Sequence, residues 1–432
     1  MRSTHEESRT TAATGASALV PSPASAEGGT TRRRVLLTAG AGIASIAGVP
    51  STEATQIIGC EELWRFETDS YVTSSPTVAD STVFVASYHG KLYAVDAETG
   101  DEQWHFDTDS YVTSSPTVAD STVFVGSYDD NLYAVDAETG AEQWHFETGD
   151  KVRSSPTVVD GTVFVGSYDD NLYAVDSATG DEQWRFETGD RVRSSPTVVD
   201  STVYVGSADA NLYAVDAVTG DEQWHFETDH DVASAPTVAN GIVYVGSADA
   251  NLYAVDAETG DEQWRFETGD HVVSSPTVVD GTVFVGSHDS NLYAVDAETG
   301  DEQWRFDTGE GAASSPTVAD ETVFVGSRDD DHLYAVDATT GDEQWRFETG
   351  DHVTASPTVV DGTVFFGSAD SNLYAVETEV AGSRVCRRKY TSPGPVASAM
   401  SFTDGLPGSG ILGALTALGG AGYLLTRWRT DE

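Results

Sequence analysis

The stretch VVSSPTVVDGTVFVGSHDSNLYAVDAETGDEQWRFDT, from Val272 to Thr308, holds four short apolar runs with turn residues between them. VVSSPTVV, ending at Val279, leads through Asp280 and Gly281 to TVFVGS. His288, Asp289, Ser290 and Asn291 then lead to LYAVD, and Glu298, Thr299 and Gly300 lead to EQWRF. Val, Phe, Tyr, Thr and Trp suit the pleated backbone of a strand, whereas Asp, Asn, Ser and Gly suit tight connections. No run has the 3.6-residue apolar period of a helix. Four strands in about 40 residues leave no room for a crossover helix, so the unit reads as one four-stranded antiparallel blade.

The unit recurs along the chain, marked by Trp64, Trp104, Trp144, Trp184, Trp224, Trp264, Trp304 and Trp345, with one extra residue before the last. Eight segments supply the first three strands, starting near Val72, Val112, Val152, Val192, Val232, Val272, Ala312 and Val353. Seven of them are followed by their own Trp-bearing fourth strand. The unmatched fourth strand is EELWRFET, Glu61 to Thr68, and the eighth segment ends at LYAVE, Leu373 to Glu377. The count predicts an all-β, eight-bladed β-propeller over residues 61–378, in which the N-terminal strand completes the last blade. Closure of that kind removes an exposed sheet edge.

The segment AVDAETGDEQW, Ala94 to Trp104, recurring with small changes up to Ala335 to Trp345, resembles the tryptophan-docking motif of pyrroloquinoline-quinone (PQQ) repeats. The resemblance implies that the eight Trp residues named above dock each blade on its neighbour, and that the Asp and Thr-Gly set the turn. The PQQ-repeat family includes quinoprotein dehydrogenases and also cofactor-free scaffolds similar to the propeller lipoprotein of bacterial outer-membrane assembly. The dehydrogenases carry an adjacent Cys-Cys pair and place catalytic groups in irregular insertions. Here the two cysteines are Cys60 and Cys386, and the blades carry almost no insertions. A near-perfect repeat also fails to bring unlike groups to one point, as an active site requires. No HExxH helix, Walker loop or nucleophile elbow is present in the sequence. The expectation is a non-enzymatic binding or scaffolding module that uses neither PQQ nor calcium, with a PQQ-dependent dehydrogenase as the alternative.

Residues 1–50 resemble a Tat-type signal region: Arg32, Arg33 and Arg34 precede an apolar stretch from Val35 to Val49, a pattern that exports folded proteins. Residues 51–60 read as a linker and 379–409 as a degenerate closing segment. Residues 410–426 read as a C-terminal membrane anchor and 427–432, with Arg427 and Arg429, as a short cytoplasmic tail. Leu406, Pro407 and Gly408 resemble the Pro-Gly-Phe sorting signal of surface proteins in salt-loving archaea, with Ser409 in place of the Phe. Asp and Glu number 71 against 22 Lys and Arg, for a formal charge of −49. Such a surface repels itself in dilute buffer. It also repels nucleic acid, and it suits molar salt, where the Debye length falls to about 3 Å. These features predict a monomeric, Tat-exported cell-surface protein of a halophile, held to the cytoplasmic membrane by its C-terminal segment.

Cys60 directly precedes the closing strand and Cys386 follows the eighth blade, so a disulfide at the ring seam is one expectation. Ile57, Ile58, Gly59 and Cys60 also spell a lipoprotein cleavage box, and free thiols are the third reading.

Function is sought where the repeats disagree. Beyond the post-Trp positions, the basic residues of the repeats fall in the loop between second and third strands or in the connection into the next blade. In a propeller these two loop classes share one face. The candidate rim comprises Tyr88, Tyr128, Lys151, Arg153, Tyr168, Arg191, Arg193, His271, His288, Arg328 and His352. Lys151, Arg153, Arg191 and Arg193 form its most basic part. Arginine forks beside aromatics suit an anionic ligand or an acidic protein surface; pairing with Asp150, Asp190 and Asp329 is the plainer account. The Asp-x-Asn strings at 129–131, 169–171 and 289–291 read either as hairpin chemistry or as calcium loops, without the full 12-residue ligand spacing. His271 and His288 form a possible metal pair by the same residue-type logic.

Overall fold

The computed structural model describes residues 58–381 apart from 310, 313 and 329, and the side chains of 58, 59 and 379–381 are outside that description. The expected signal, the C-terminal anchor and tail, and Cys386 lie outside the described residues. Among the described residues no helix is long and apolar enough to cross a membrane.

Eight four-stranded antiparallel sheets make eight blades: 77–107, 117–147, 157–187, 197–227, 237–267, 277–307, 317–348, and a last one that combines 358–381 with 58–67. The N-terminal strand Ile58–Glu67 pairs with Asn372–Ala381, placing Trp64 opposite Ala375 and Glu67 opposite Asn372. The ring is therefore closed as the strand count predicts, and the closing pair reaches Ile58 and Ala381.

One expectation is corrected. The innermost strand of each blade is three residues long, as in Thr77–Ala79 and Thr277–Val279, and not the whole VVSSPTVV run. The Ser-Ser-Pro part leaves the ladder because proline has no N–H to donate and because the serines bond between blades. The backbone N–H of Ser75 donates to the Ser115 hydroxyl at 2.9 Å, Ser115 to Ser155 at 2.9 Å and Ser155 to Ser195 at 3.0 Å. Ala235 donates to Ser275 at 3.0 Å, Ser275 to Ser315 at 2.9 Å, Ser315 to Ser356 at 3.0 Å, and Ser356 returns to Ser75 at 3.0 Å. The chain of bonds breaks where Ala235 replaces serine. A second circle has no break: each strand's threonine hydroxyl donates to the next blade's proline carbonyl, from Thr77 to Pro116 at 2.6 Å round to Thr358 and Pro76 at 2.6 Å.

Between blades the core is apolar. Phe84, Leu92 and Ala94 of blade 1 meet Val123, Val125 and Tyr133 of blade 2, and the same set recurs around the ring. Seven of the eight tryptophans cap their interfaces: the Trp64 indole N–H donates to the Ala97 carbonyl at 3.0 Å, Trp104 to Ala137 at 3.1 Å, and so on to Trp304 and Ala338 at 3.0 Å. The turn glycine beneath each of these seven indoles is sterically required. Gly140 has φ +72°, and a Cβ there would stand 2.7 Å from Trp104 Cε3. The turn itself is tied by its aspartate, since the Asp136 carboxylate accepts the Thr139 hydroxyl at 2.7 Å and the Thr139 N–H at 2.9 Å. Those bonds hold Asp136 below the ordinary carboxylate range. Trp345 is 1% exposed and lies with Phe347, Phe366, Tyr374 and Cys60 in the core cluster of the seam. Cys60 is buried and disulfide-bonded; its expected partner, Cys386, is among the residues not described.

Candidate functional site

The two variable loop classes meet on one face through a backbone bond repeated in every blade. The Tyr88 N–H donates to the Tyr71 carbonyl at 2.8 Å, Tyr128 to Tyr111 at 2.8 Å, Tyr168 to Lys151 at 2.9 Å and Ala208 to Arg191 at 2.9 Å. Further round, Ala248 donates to Asp231 at 2.9 Å, His288 to His271 at 3.0 Å, Arg328 to Gly311 at 2.9 Å and Ala369 to His352 at 2.8 Å. Side chains at these paired positions stand next to each other and next to those of the adjoining blade.

Over blades 1 to 3 they form a tyrosine row. Ring centroids are 6.3 Å apart for Tyr71 and Tyr88, 4.5 Å for the stacked Tyr88 and Tyr111, and 6.4 Å for both Tyr111–Tyr128 and Tyr128–Tyr168. Cations continue it. The Lys151 ammonium lies 5.5 Å from the Tyr128 ring centre and the Arg191 guanidinium 5.5 Å from that of Tyr168, within cation–π range. Arg153 donates to the Tyr168 hydroxyl at 3.4 Å. Arg193, expected as a ligand group, pairs with Asp231 of the next blade, while its buried Nε has no hydrogen-bond partner. Arg191 also lies 3.4 Å from the Asp190 carboxylate. Lys151 and Arg153 are exposed, and the four cations together make a sector beside the tyrosines.

The histidines occupy another sector. His271 lies 6.1 Å between ring centroids from both His230 and His288. Its Nδ1–H donates to the Ala248 carbonyl, so that nitrogen is already engaged within the fold. Burial, and then the nearby Arg328 charge, push the His288 pKa below its ordinary value. Arg328 itself is exposed. His352 sits between two carboxylates, with Nδ1 3.5 Å from Asp331 and Nε2 3.4 Å from Asp351. Sequence reading missed those two partners; the signal was the Arg-Asp-Asp-Asp-His run at 328–332, where the repeat gains its extra residue.

The Asp-x-Asn carboxylates are used as hairpin and inter-blade acceptors. Asp169 accepts the Asn171 N–H at 3.2 Å, the Tyr173 hydroxyl at 2.6 Å and the Gly149 N–H of the preceding blade connection at 2.6 Å. Asp289 repeats the arrangement with Asn291 at 3.0 Å, Tyr293 at 2.7 Å and Gly269 at 2.6 Å. Burial, reinforced by the Asp289 carboxylate, pushes the Tyr293 phenol up to about 12.

The sequence matches a PQQ-repeat family model described as outer membrane protein assembly factor BamB over residues 59–166, 132–264, 230–316 and 270–404. The chain belongs to this family. No curated protein matches it. Its fold is similar to that of BamB from Moraxella catarrhalis, with 21% identity, a TM-score of 0.65, and 74% of this chain and 97% of that one covered. It is also similar to the computationally designed Ika8 protein (19% identity, TM-score 0.67, 73% and 99% covered). The quinohemoprotein alcohol dehydrogenase ADHIIG from Pseudomonas putida HK5 is a third similar fold (17% identity, TM-score 0.65, 80% of each chain covered). In this PQQ-repeat propeller the docking parts repeat from blade to blade, while one face changes from tyrosine and cation to histidine.

Proposed function

We propose that this propeller is a non-enzymatic binding module that captures an anionic partner, an acidic protein surface or small ligand, on the loop face over blades 1 to 4. The supporting observation is the sector in which Lys151, Arg153 and Arg191 lie against Tyr128 and Tyr168. Guanidinium groups fixed on aromatic planes lose little freedom when they engage a carboxylate or phosphate. We further propose that the protein is exported by the Tat route and anchored at the cell surface by residues 410–426.

Family membership raises the question of a quinone cofactor with calcium. Among the described residues, those leading into the innermost strands are Thr73, Thr113, Arg153, Arg193, Ala233, Val273 and Thr354, none of which is a carboxylate, and the adjacent Asp231 is engaged by Arg193. Calcium takes six to eight oxygen ligands, so this donor set does not fit a calcium-bound quinone.

The test is titration of the purified protein in molar KCl with a poly-glutamate peptide, and separately with PQQ and calcium while following reduction of an artificial electron acceptor. Saturable peptide binding that weakens at least tenfold in Arg153→Ser/Lys151→Ser, with unchanged melting, supports the proposal. Peptide binding unaffected by those substitutions would refute the assigned face. Quinone binding with alcohol-dependent turnover would replace it with the dehydrogenase reading.

A further inference from the structure

Among the described residues, seven blade junctions are held by one threonine hydroxyl that donates to two backbone carbonyls, one from the loop before a third strand and one from the connection that follows. Thr148 reaches Asp130 at 2.9 Å and Asp150 at 2.5 Å; Thr188 reaches Asp170 at 2.9 Å and Asp190 at 2.6 Å. Thr349 does the same with Asp331 at 2.8 Å and Asp351 at 2.6 Å. The clamp fixes the same two positions at each of these seven junctions, so the repeats serve as internal comparisons.

Only some junctions put aspartate at both positions. The other fully described ones carry Gly90 and Ser110, Ala210 and His230, Ala250 and Asp270, or Ser371 and Ser70. Two like charges held together need a countercharge, and the next residue supplies one: Lys151 after the first pair and Arg191 after the second. The field of Lys151 opposes the upward push that burial and Asp150 exert on the Asp130 carboxyl, and Arg191 does the same for Asp170. At the third pair that position is His352, whose imidazole is a metal-ligating group where the other two junctions carry an ammonium or a guanidinium.

We propose that Asp331, Asp351 and His352 bind a divalent transition-metal ion of the zinc class, whose positive charge stands in for that of Lys151 or Arg191 at the two equivalent junctions. The three side chains are half-buried, and one ligand atom from each lies within 4.8 Å of the others. His352 stands 3.5 Å from one Asp331 oxygen and 3.4 Å from one Asp351 oxygen. A tetrahedral ion with bonds of about 2.0–2.1 Å holds its ligands roughly 3.4 Å apart, close to the gap between each aspartate oxygen and the ring nitrogen it faces. The two aspartates face different ring nitrogens, so coordination through one nitrogen requires the imidazole to turn. One nitrogen and two carboxylates favour zinc, cobalt or manganese over calcium, which wants an all-oxygen shell. The neighbouring His332 is committed elsewhere, donating to the Asp330 carbonyl. The site lies at the junction of blades 7 and 8 and is independent of the anionic-partner proposal.

The experiment is calorimetric titration of the EDTA-treated full chain in molar KCl with zinc chloride, with visible absorption of the cobalt form as a second readout. The expected result is one equivalent bound, a rise in melting temperature, and tetrahedral cobalt bands. His352→Lys copies the Asp130, Asp150 and Lys151 junction. It is expected to melt no lower than the metal-free parent while losing at least 100-fold in zinc affinity. His271→Ala is expected to bind as the parent does. No saturable binding, or binding retained in His352→Lys and in Asp331→Asn, would overturn the proposal.

Discussion

The circle of serine bonds is broken at one place, and repairing it is a quantitative test of how the ring is held. Seven backbone N–H groups donate to a serine hydroxyl in the next blade at 2.9–3.0 Å. At the eighth, the acceptor position is Ala235, and Ser194 turns instead to donate to the Ser234 carbonyl at 2.9 Å. In the neighbouring blade the equivalent Ser154 hydroxyl accepts the Gly166 N–H at 3.1 Å. Ala235 is buried like Ser115 and Ser275, which occupy the same place with room for their hydroxyls. Ala235→Ser therefore adds one inter-blade bond and frees Ser194 to return to its usual role. A net hydrogen bond contributes about 0.5–1.5 kcal/mol, which for a domain of this size raises the melting temperature by roughly 1–4 °C. The converse substitution, Ser275→Ala, removes the bond from the Ala235 N–H and is expected to lower stability by a similar amount, about 1 kcal/mol. Both are read by urea unfolding in molar KCl. If Ala235→Ser is neutral or destabilising while Ser275→Ala is destabilising, the two sites are not equivalent and the reasoning from repeat to repeat fails.

Gly140→Ala combines a left-handed backbone penalty of about 1–2 kcal/mol with a Cβ placed 2.7 Å from Trp104; a loss of roughly 2–4 kcal/mol and a changed near-ultraviolet tryptophan signal are expected. Lowering the pH is expected to destabilise the protein through His288. Its folded pKa lies below the unfolded value, so the unfolded chain binds the proton more readily. The stability tied to neutral His288 is full above about pH 6.5 and declines as the pH falls through that value toward the folded pKa. His288→Asn should flatten that part of the curve of stability against pH; an unchanged curve would refute the assignment.

The ring was legible because two periods coincide: alternation within each strand and the spacing of Trp64 through Trp345. Counting tryptophans against first strands also locates the closing strand. The short innermost strands were not legible, because the Ser-Ser-Pro segment has strand composition and only its partners across the blade interface show that its bonds leave the sheet. The shared face of the variable loops followed from strand alternation alone. Its internal pairings did not: Arg193 with Asp231 joins residues 38 positions apart, and Asp331 meets His352 only through the Thr349 clamp. Such contacts depend on the distance between neighbouring blades, which a repeat length does not encode.

The formal charge of −49 bears on recognition less than its size suggests. At molar salt the Debye length is about 3 Å, so the acidic body neither repels an anionic partner from afar nor draws a cationic one in. What survives screening is contact: aromatic faces, guanidinium forks and bonds made at hydrogen-bonding distance. The Tyr88–Tyr111 stack and the Lys151 and Arg191 contacts on tyrosine rings are interactions of that range. Arg193 is the least available of the four cations, because a ligand must displace Asp231 to use its paired edge. Lys151 and Arg153, exposed and resting against tyrosine, are the groups on which a binding face in brine would depend.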